Sequence, residues 1–407
     1  MKCRGCGAVD LRLVVSLGDM PPVNAFLTAA QVKDERRFAL DCYFCERCTL
    51  VQLDPIVDPG LLFSDYAYLS SVSKTAVSYL TELATSLAGE LNVTATSRVL
   101  EIGSNDGTFL RQLRTYTPHV VGVDPARNVV EKAKALGLRT VVDFFSAKLA
   151  NTLEAELGRF DLIVALNVVA HTPNFLDLFA GVRHLLHPKG YFVMEAADVV
   201  QTILRGEIDT IYHEHVYCFS LHALQHACHA VGLTIVDACK TPAQGGSLRV
   251  FMQTTAGENV VNPRVLTLLE GERSAGLTSF SAYAPVAGLA GELRERLRAG
   301  LRELREAHET VIGLGAPARG VVLMNYCELG TSDLDFVVDD APTKQGKLVP
   351  GRHIPVFDWT KIAKDGSIGC LMLSWNYRQE ILAKLRARTA NATVLVPLPS
   401  VERITLA

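Results

Sequence analysis

The chain has 407 residues, 49% of them hydrophobic and 20% charged, with a formal net charge of −3. At about 150 residues per domain that length divides into two or three units, and so small a charge leaves no large positive field to recruit nucleic acid or anionic lipid. No apolar run of about 18 residues appears, and MKCRGCGAVD has neither a signal-peptide core nor an Arg-rich transit pattern, so the expectation is a cytoplasmic multidomain enzyme with neither nucleic acid nor membrane as partner.

Four of the ten cysteines form two C-x-x-C pairs, Cys3 with Cys6 (CRGCG) and Cys45 with Cys48 (CERCT). A two-residue gap turns both sulfurs toward one tetrahedral ion, and in a reducing compartment this pattern points to structural zinc. A redox dithiol is the plainer alternative, and Cys42 is an alternative ligand. The remaining cysteines are scattered and read as buried thiols. Between the pairs the chain is Pro-bearing and loop-like (LGDMPPVNAFL), so residues 1–62 are expected to form a small metal-stapled lobe with little core of its own. The segment after it ends in a helix, from the apolar spacing of Val77, Leu80, Leu83 and Leu87.

Residues 63–255 are the clearest unit. SRVLEIGSNDGTFLRQL runs from strand through glycine loop to helix, the context of a nucleotide-binding loop. The loop is E-x-G-x-x-x-G. Gly103 and Gly107 allow close backbone approach, with Ser104 between them, while Glu101 and Asp106 put carboxylates where a dinucleotide fold needs a pyrophosphate. A cationic or neutral ligand suits it better. A second strand ends in Asp124, followed by Pro125, where an acid can take both hydroxyls of a ribose. RTVVDFF is a third strand whose Phe144 or Phe145 offers a face to adenine, and FDLIVALNVVAHTPN is a fourth, with Asn167 and His171 in its loop. GYFVMEA, LTIVDAC and SLRVFMQ bring the count to seven, the last two as an antiparallel pair.

IYHEHVYCFS, residues 211–220, lies within a segment 205–222 rich in proton-handling side chains. Three readings are open: a proton-transfer site, a second metal site on His213 and His215, or buried polar packing. H-E-x-x-H is absent, and no third ligand is evident.

Beyond residue 255, leucines 289, 293, 297, 301 and 304 mark an amphipathic linking helix. TVIGLGAPARG, FVVDDAP, GCLMLSW and TVLVPLPS then alternate with helical stretches, a second parallel α/β unit. Its G-x-G-A-P-A turn raises the possibility of NAD.

Seven strands with the E-x-G-x-x-x-G loop and Asp124 resemble a class I methyltransferase binding S-adenosylmethionine; a Rossmann dehydrogenase would want a third glycine and no acid there. The succession of C-x-x-C pairs, YAYLSS, LEIGSNDGTFL, ALNVVAHTPN, DTIYHEHVYCFS, QGGSLRV and GLGAPARGVVLMNYC is similar, along nearly the whole chain, to the sugar C-methyltransferases of antibiotic deoxysugar pathways. That resemblance implies a zinc-binding lobe, a central methyltransferase fold and a C-terminal Rossmann-like domain. It implies a dTDP-linked 4-keto-deoxysugar as substrate, methylated at C-3 or, in some members, C-5.

By the same resemblance Tyr212, Glu214 and His215 carry over as catalytic, joined by His171 and Tyr66, with His215 as base. Tyr68 joins the cofactor set, and Gln244, Gly245, Gly246, Ser247, Arg249, Arg319, Asn325 and Arg352 the substrate set. Gln244 stands where the family usually has His. The chemistry agrees with these residue types: a hydrogen on carbon beside a ketone is acidic, a neutral imidazole suits its removal, and phenol or imidazole donors support the oxyanion at roughly 3 to 4 kcal/mol each. The alternative from another class is a zinc-ribbon binding protein on a non-catalytic methyltransferase fold. The quaternary expectation is a monomer or small homo-oligomer.

Overall fold

The fold comes from a computed structural model that describes residues 1–63, 66, 69–200, 205–363 and 366–406. Tyr68 lies outside them. Strands β1 (Leu11–Met20), β2 (Phe38–Cys45) and β3 (Val51–Leu53) pair antiparallel. The stretch between the cysteine pairs, expected as loop, therefore carries strand β1 and most of β2. Register shifts after Leu13 and after Ser16 break the in–out alternation that would have announced β1. This sheet shares its core with the rest of the molecule: Cys3, Cys45, Cys48 and Leu50 pack with the central sheet, while Val14, Leu17, Leu40 and Phe44 pack with C-terminal elements.

Helices α1 (Pro59–Phe63) and α2 (Lys74–Glu90) follow. Ser73 caps α2 by accepting from the Ala76 amide, and Leu83, Ala84, Leu87 and Ala88 are its buried face.

The central domain runs β4 (Val99–Ile102), α3 (Thr108–Leu113), β5 (Val120–Asp124), α4 (Arg127–Ala135), β6 (Arg139–Val142), α5 (Ala147–Leu157), β7 (Phe160–Leu166), α6 (Phe175–Leu185), β8 (Leu186–Ala197), β9 (Tyr217–Cys218), α7 (Leu221–Val231), β10 (Leu233–Thr241) and β11 (Ser247–Thr254). Its sheet has the expected seven strands, ordered β10-β11-β8-β7-β4-β5-β6. The run from β8 to β6 is parallel, and β11 is antiparallel to both neighbours. VLEI of β4 is buried at every position, as a strand covered on both faces must be. Strand order reverses at β4, so the loops after β4, β5 and β7 open together at the carboxyl edge, where such sheets bind ligands. β9 belongs elsewhere: it pairs with β3 and completes the N-terminal sheet, tying the segment 211–220 to the first lobe.

C-terminal to this come α8 (Pro263–Ser274), α9 (Val286–Ala307), β12 (Thr310–Leu314), α10 (Ala318–Tyr326), β13 (Phe336–Val338), β14 (Val356–Phe357), β15 (Ile368–Met372), α11 (Arg378–Arg386), β16 (Ala392–Val396) and β17 (Glu402–Leu406). The sheet order is β14-β13-β12-β15-β16-β17, parallel except for β17. The four expected strands are joined by two edge strands, β14 and β17. In α9, Leu293, Leu297, Leu301 and Leu304 are buried while Leu289 is 39% exposed; Val286 and Ala290 continue the buried stripe in its place. Among the described residues no helix is long and apolar enough to cross a membrane.

Candidate active site

The metal site is the simplest to build. The sulfurs of Cys3, Cys6, Cys45 and Cys48 lie within 4.8 Å of one another, with Cys3–Cys48 at 3.4 Å and Cys6–Cys45 at 3.6 Å. A tetrahedron with Zn–S bonds of about 2.3 Å has edges of about 3.8 Å, so the four sulfurs fit a zinc ion. The Cys3–Cys48 contact lowers the Cys3 thiol and raises that of Cys48, so the pair shares a proton that a metal would displace. The alternative ligand Cys42 is buried in the other core, and burial pushes its thiol up.

At the carboxyl edge of the central sheet, Gly103, Asn105 and Gly107 all take positive φ, 70°, 50° and 79°. The two glycines are required by the protein's own packing as well. A Cβ on Gly103 would lie 2.2 Å from Val168 Cγ2, and one on Gly107 2.2 Å from Leu138 Cδ1. Glu101, Asp106 and Asp124 are buried together. Asp124 accepts from the amides of Asn105 and Ala126, both at 2.9 Å, and Asp106 from Ser71 N, Thr108 N and Thr108 Oγ1. Among the described residues Glu101 Oε2 has no partner. Burial, then the neighbouring Asp124 and Asp106, raise the Glu101 carboxyl well above its ordinary value. An acidic recess with an unsatisfied carboxylate oxygen fits a cationic ligand such as S-adenosylmethionine.

The other cofactor candidates are spread around this recess. Asn167 also has positive φ, 55°, and its amide donates to Glu195 O across the strand ends. Pro125 is half-buried after Asp124. Ser104 is buried against β5, where a Cβ on Gly122 would lie 2.4 Å from its hydroxyl. Of the two phenylalanines, Phe144 is exposed, whereas Phe145 sits in the central core beside Gly181. Only Phe144 thus presents an open face.

The segment at 211–216 is a turn, so His213 and His215 do not share a strand face. His213 turns toward the N-terminal lobe, with Nε2 on Phe38 O at 3.1 Å and its ring edge-on to Phe38. The metal reading fails with it: among the described residues the four cysteines form the one cluster of metal-ligating groups. His215 Nδ1 lies 2.8 Å from Thr210 O, and its Nε2 lies 2.7 Å from Tyr212 Oη. A carbonyl only accepts, so Nδ1 carries the hydrogen and Nε2 accepts the phenol's hydrogen. Burial above all, then the neighbouring His171, brings the His215 pKa down to about 3; the imidazole is neutral. His171 packs edge-on at 5.0 Å between centroids, is lowered to about 4 by burial, and among the described residues leaves Nδ1 without a hydrogen-bond partner.

Glu214 is 2% exposed, and burial raises its pKa to about 7. Asn24 Nδ2 donates to Glu214 Oε1 at 2.6 Å, and Tyr66 Oη to Oε2 at 3.5 Å. Tyr66 in turn exchanges backbone bonds with Asn128 of α4: its amide donates to Oδ1, and its carbonyl accepts from Nδ2. Ser70 N reaches Asn105 Oδ1. Tyr66 thus touches the first turn of α4 and the 212–215 cluster, and Ser70 and Ser71 touch the glycine loop. All five catalytic candidates, Tyr66, His171, Tyr212, Glu214 and His215, fall in one neighbourhood.

Sequence reasoning missed Asn24, Asn128 and Thr210. Asn24 was visible as the one polar side chain in PPVNAFL, but nothing local ties it to a residue 190 positions away.

The substrate candidates divide. Gly245 and Gly246 form the turn into β11, with Ser247 Oγ donating to Ala243 O. The Gln244 side chain lies outside the described part of the structure. Arg249 pairs with the fully buried Glu195 at 3.0 Å and donates to Tyr79 Oη. Asn325 is buried, its amide spent on Val321 O and Pro350 O. Arg352 is half-buried and donates to Leu329 O. Arg319, with 12% of its side chain accessible, grips Asp209 and Glu207, so it is no surface arginine.

Residues 3–63 match the family described as "Putative zinc binding domain", residues 73–238 a methyltransferase domain and residues 242–399 the C-methyltransferase C-terminal domain. The C-methyltransferase NovU of Streptomyces niveus is 33% identical over 98% of this chain and 95% of its own. An uncharacterized methyltransferase of Schizosaccharomyces pombe is 28% identical over 29% of this chain and 46% of its own. Among solved structures, an S-adenosylmethionine-dependent methyltransferase of Anabaena variabilis aligns at 14% identity over 42% of this chain and 83% of its own, with a TM-score of 0.36. The chain belongs to the S-adenosylmethionine-dependent C-methyltransferase family.

Proposed function

We propose that the chain methylates the carbon beside the ketone of a dTDP-linked 4-keto-deoxysugar, with C-3 as the favoured position. The observation that carries this reading is the Tyr212–His215 pair: a neutral imidazole whose Nε2 takes the phenol hydrogen at 2.7 Å while Nδ1–H is held on Thr210 O. The pair offers one defined acceptor position, Nε2, reached through the phenol oxygen. As the bond from hydrogen to the α-carbon breaks, the hydrogen goes to the phenol oxygen and the phenol's own proton passes to Nε2. The electron pair left on carbon spreads onto the ketone oxygen as an enolate. His171, neutral and with Nδ1 unpaired among the described residues, is the candidate donor to that oxygen.

S-adenosylmethionine, when bound, supplies an electrophilic methyl on a sulfonium. Glu101, Asp106 and Asp124 would hold it, with the backbone of 103–107, Pro125, Asn167 and Phe144 around it. Gly245, Gly246 and Ser247 line the turn proposed to meet the sugar nucleotide, and zinc on the four cysteines has a structural role only.

A second reading has its own support: a Glu214 pKa of about 7 suits a general base at neutral pH, with His215 orienting Tyr212. Mass spectrometry and NMR of products from a panel of dTDP-4-keto sugars test the proposal. A new methyl on carbon next to the ketone supports it; no product from any keto-sugar sinks the substrate assignment.

A further inference from the structure

Arg319 stands in α10 of the C-terminal sheet domain, yet its guanidinium is spent on the catalytic segment. Nε donates to Asp209 Oδ2 at 3.1 Å, and Nη2 to Asp209 Oδ1 at 2.7 Å and to Glu207 Oε2 at 2.9 Å. Trp375, from the loop after β15, covers the guanidinium at 4.5 Å and donates from Nε1 to the same Asp209 Oδ2 at 2.8 Å. Asp209 is fully buried and Glu207 is 3% exposed. A planar fork against a carboxylate, closed by a second donor and an aromatic face, fixes orientation as well as charge.

What this clamp holds is a single 3-10 turn, Ile208–Thr210. Thr210 is tied to Glu207 O through both its amide and its hydroxyl, and Thr210 O is the acceptor of His215 Nδ1–H. The path from Arg319 to the imidazole therefore crosses one clamped turn.

We infer that Arg319 is a positioning residue: by holding Glu207 and Asp209 it aims the Thr210 carbonyl at His215 Nδ1, which keeps Nε2 free to accept a proton from Tyr212. The C-terminal domain thereby sets the tautomer of the proton acceptor, besides any role in binding sugar nucleotide. The inference rests on the reading of His215 as acceptor. It also changes the role expected of Arg319 from the family resemblance, because two of its three nitrogens are engaged within the chain.

The test is Arg319→Lys, which keeps the charge and loses the fork. In protein labelled with 15N-histidine, the imidazole resonances of His215, assigned by comparison with His215→Asn, should show the Nδ1–H tautomer in the wild type and lose it in Arg319→Lys. Turnover should fall about 100-fold, the cost of a misplacement on the order of 1 Å. S-adenosylhomocysteine affinity and KM for the keto-sugar should hardly change. If Arg319→Lys does not fold, the triple Glu207→Gln/Asp209→Asn/Arg319→Met variant removes the buried charges together and should lose the tautomer preference in the same way. A folded variant of either kind with the wild-type tautomer and wild-type kcat, or with only KM raised, overturns the inference and makes Arg319 a structural or substrate-contact residue. A wild type that holds the Nδ1–H tautomer yet turns over no keto-sugar would count against the substrate reading alone, and the tautomer comparison still decides the role of Arg319.

Discussion

The phenol of Tyr212 stands 2.7 Å from Nε2 of His215, with the two ring centroids 3.9 Å apart and the ring planes tilted by 34°. Three residues apart on a turn, they form a unit in which neither can move a proton without the other. Tyr212→Phe and His215→Asn should each lower turnover by roughly 10² to 10⁴, the usual worth of a positioned acid–base group. The double variant should be little worse than either single one, because residues acting as a unit are not additive. Affinity for S-adenosylhomocysteine, read by calorimetry, should persist in all three. Losses that multiply in the double variant would show two independent roles.

Glu214 gives the site its pH dependence. Its carboxyl ordinarily titrates near 4.5, and burial raises it to about 7, so below neutrality it is protonated and above it is an anion beside Tyr212. An anion there stabilises the imidazolium that forms on His215, or accepts the proton itself. Either way kcat/KM should rise with pH through an apparent pKa near 7. His215 and His171, at about 3 and about 4, stay neutral throughout that window and add no limb of their own. Glu214→Gln should lower the plateau and abolish the rise. A wild-type-like rise in that variant would assign the titration to another group. The same raised pKa has a sign for stability: the folded state holds the proton more tightly than the unfolded chain, so this group's contribution is full below about 4.5 and is lost as pH rises toward 7.

The path from sequence to site was uneven, for identifiable reasons. The seven-stranded sheet was legible because its strands are buried on both faces and punctuated by Gly103, Gly107 and Asp124. The four cysteines were legible from spacing alone. Strand β1 was not, since its two register shifts erase the alternation. Phe144 and Phe145 are adjacent and chemically alike, and only packing separates the exposed ring from the core one. Arg319, Asn325 and Arg249 entered the substrate set through the family resemblance. In the structure each also bonds a distant residue of its own chain, and no local pattern encodes such partners.

Gly107 offers a stability test of that packing. With φ of 79° and Leu138 Cδ1 2.2 Å from where a Cβ would sit, Gly107→Ala combines left-handed strain with overpacking and should cost about 2 to 4 kcal/mol. Gly18 shares the positive φ, 75°, but has open space, so Gly18→Ala should cost only about 1 kcal/mol. Chemical denaturation of both variants checks the contrast; equal losses would show that strain alone matters.

Metal analysis should find about one zinc per chain. Because Cys3, Cys45 and Cys48 pack into the same core as the central sheet, stripping the metal with a chelator should destabilise that domain along with the N-terminal sheet. A metal-free preparation with wild-type thermal stability would remove zinc from the account.

The most direct test of the central claim is hydrogen exchange at carbon. With a dTDP-4-keto sugar and S-adenosylhomocysteine in deuterated water, no methyl can be transferred, and proton NMR follows only the hydrogen beside the ketone. Enzyme-dependent loss of that signal, absent in His215→Asn and Tyr212→Phe, is the predicted result. A signal that survives with the wild-type enzyme, or one lost equally fast with both variants, would contradict proton removal by this pair.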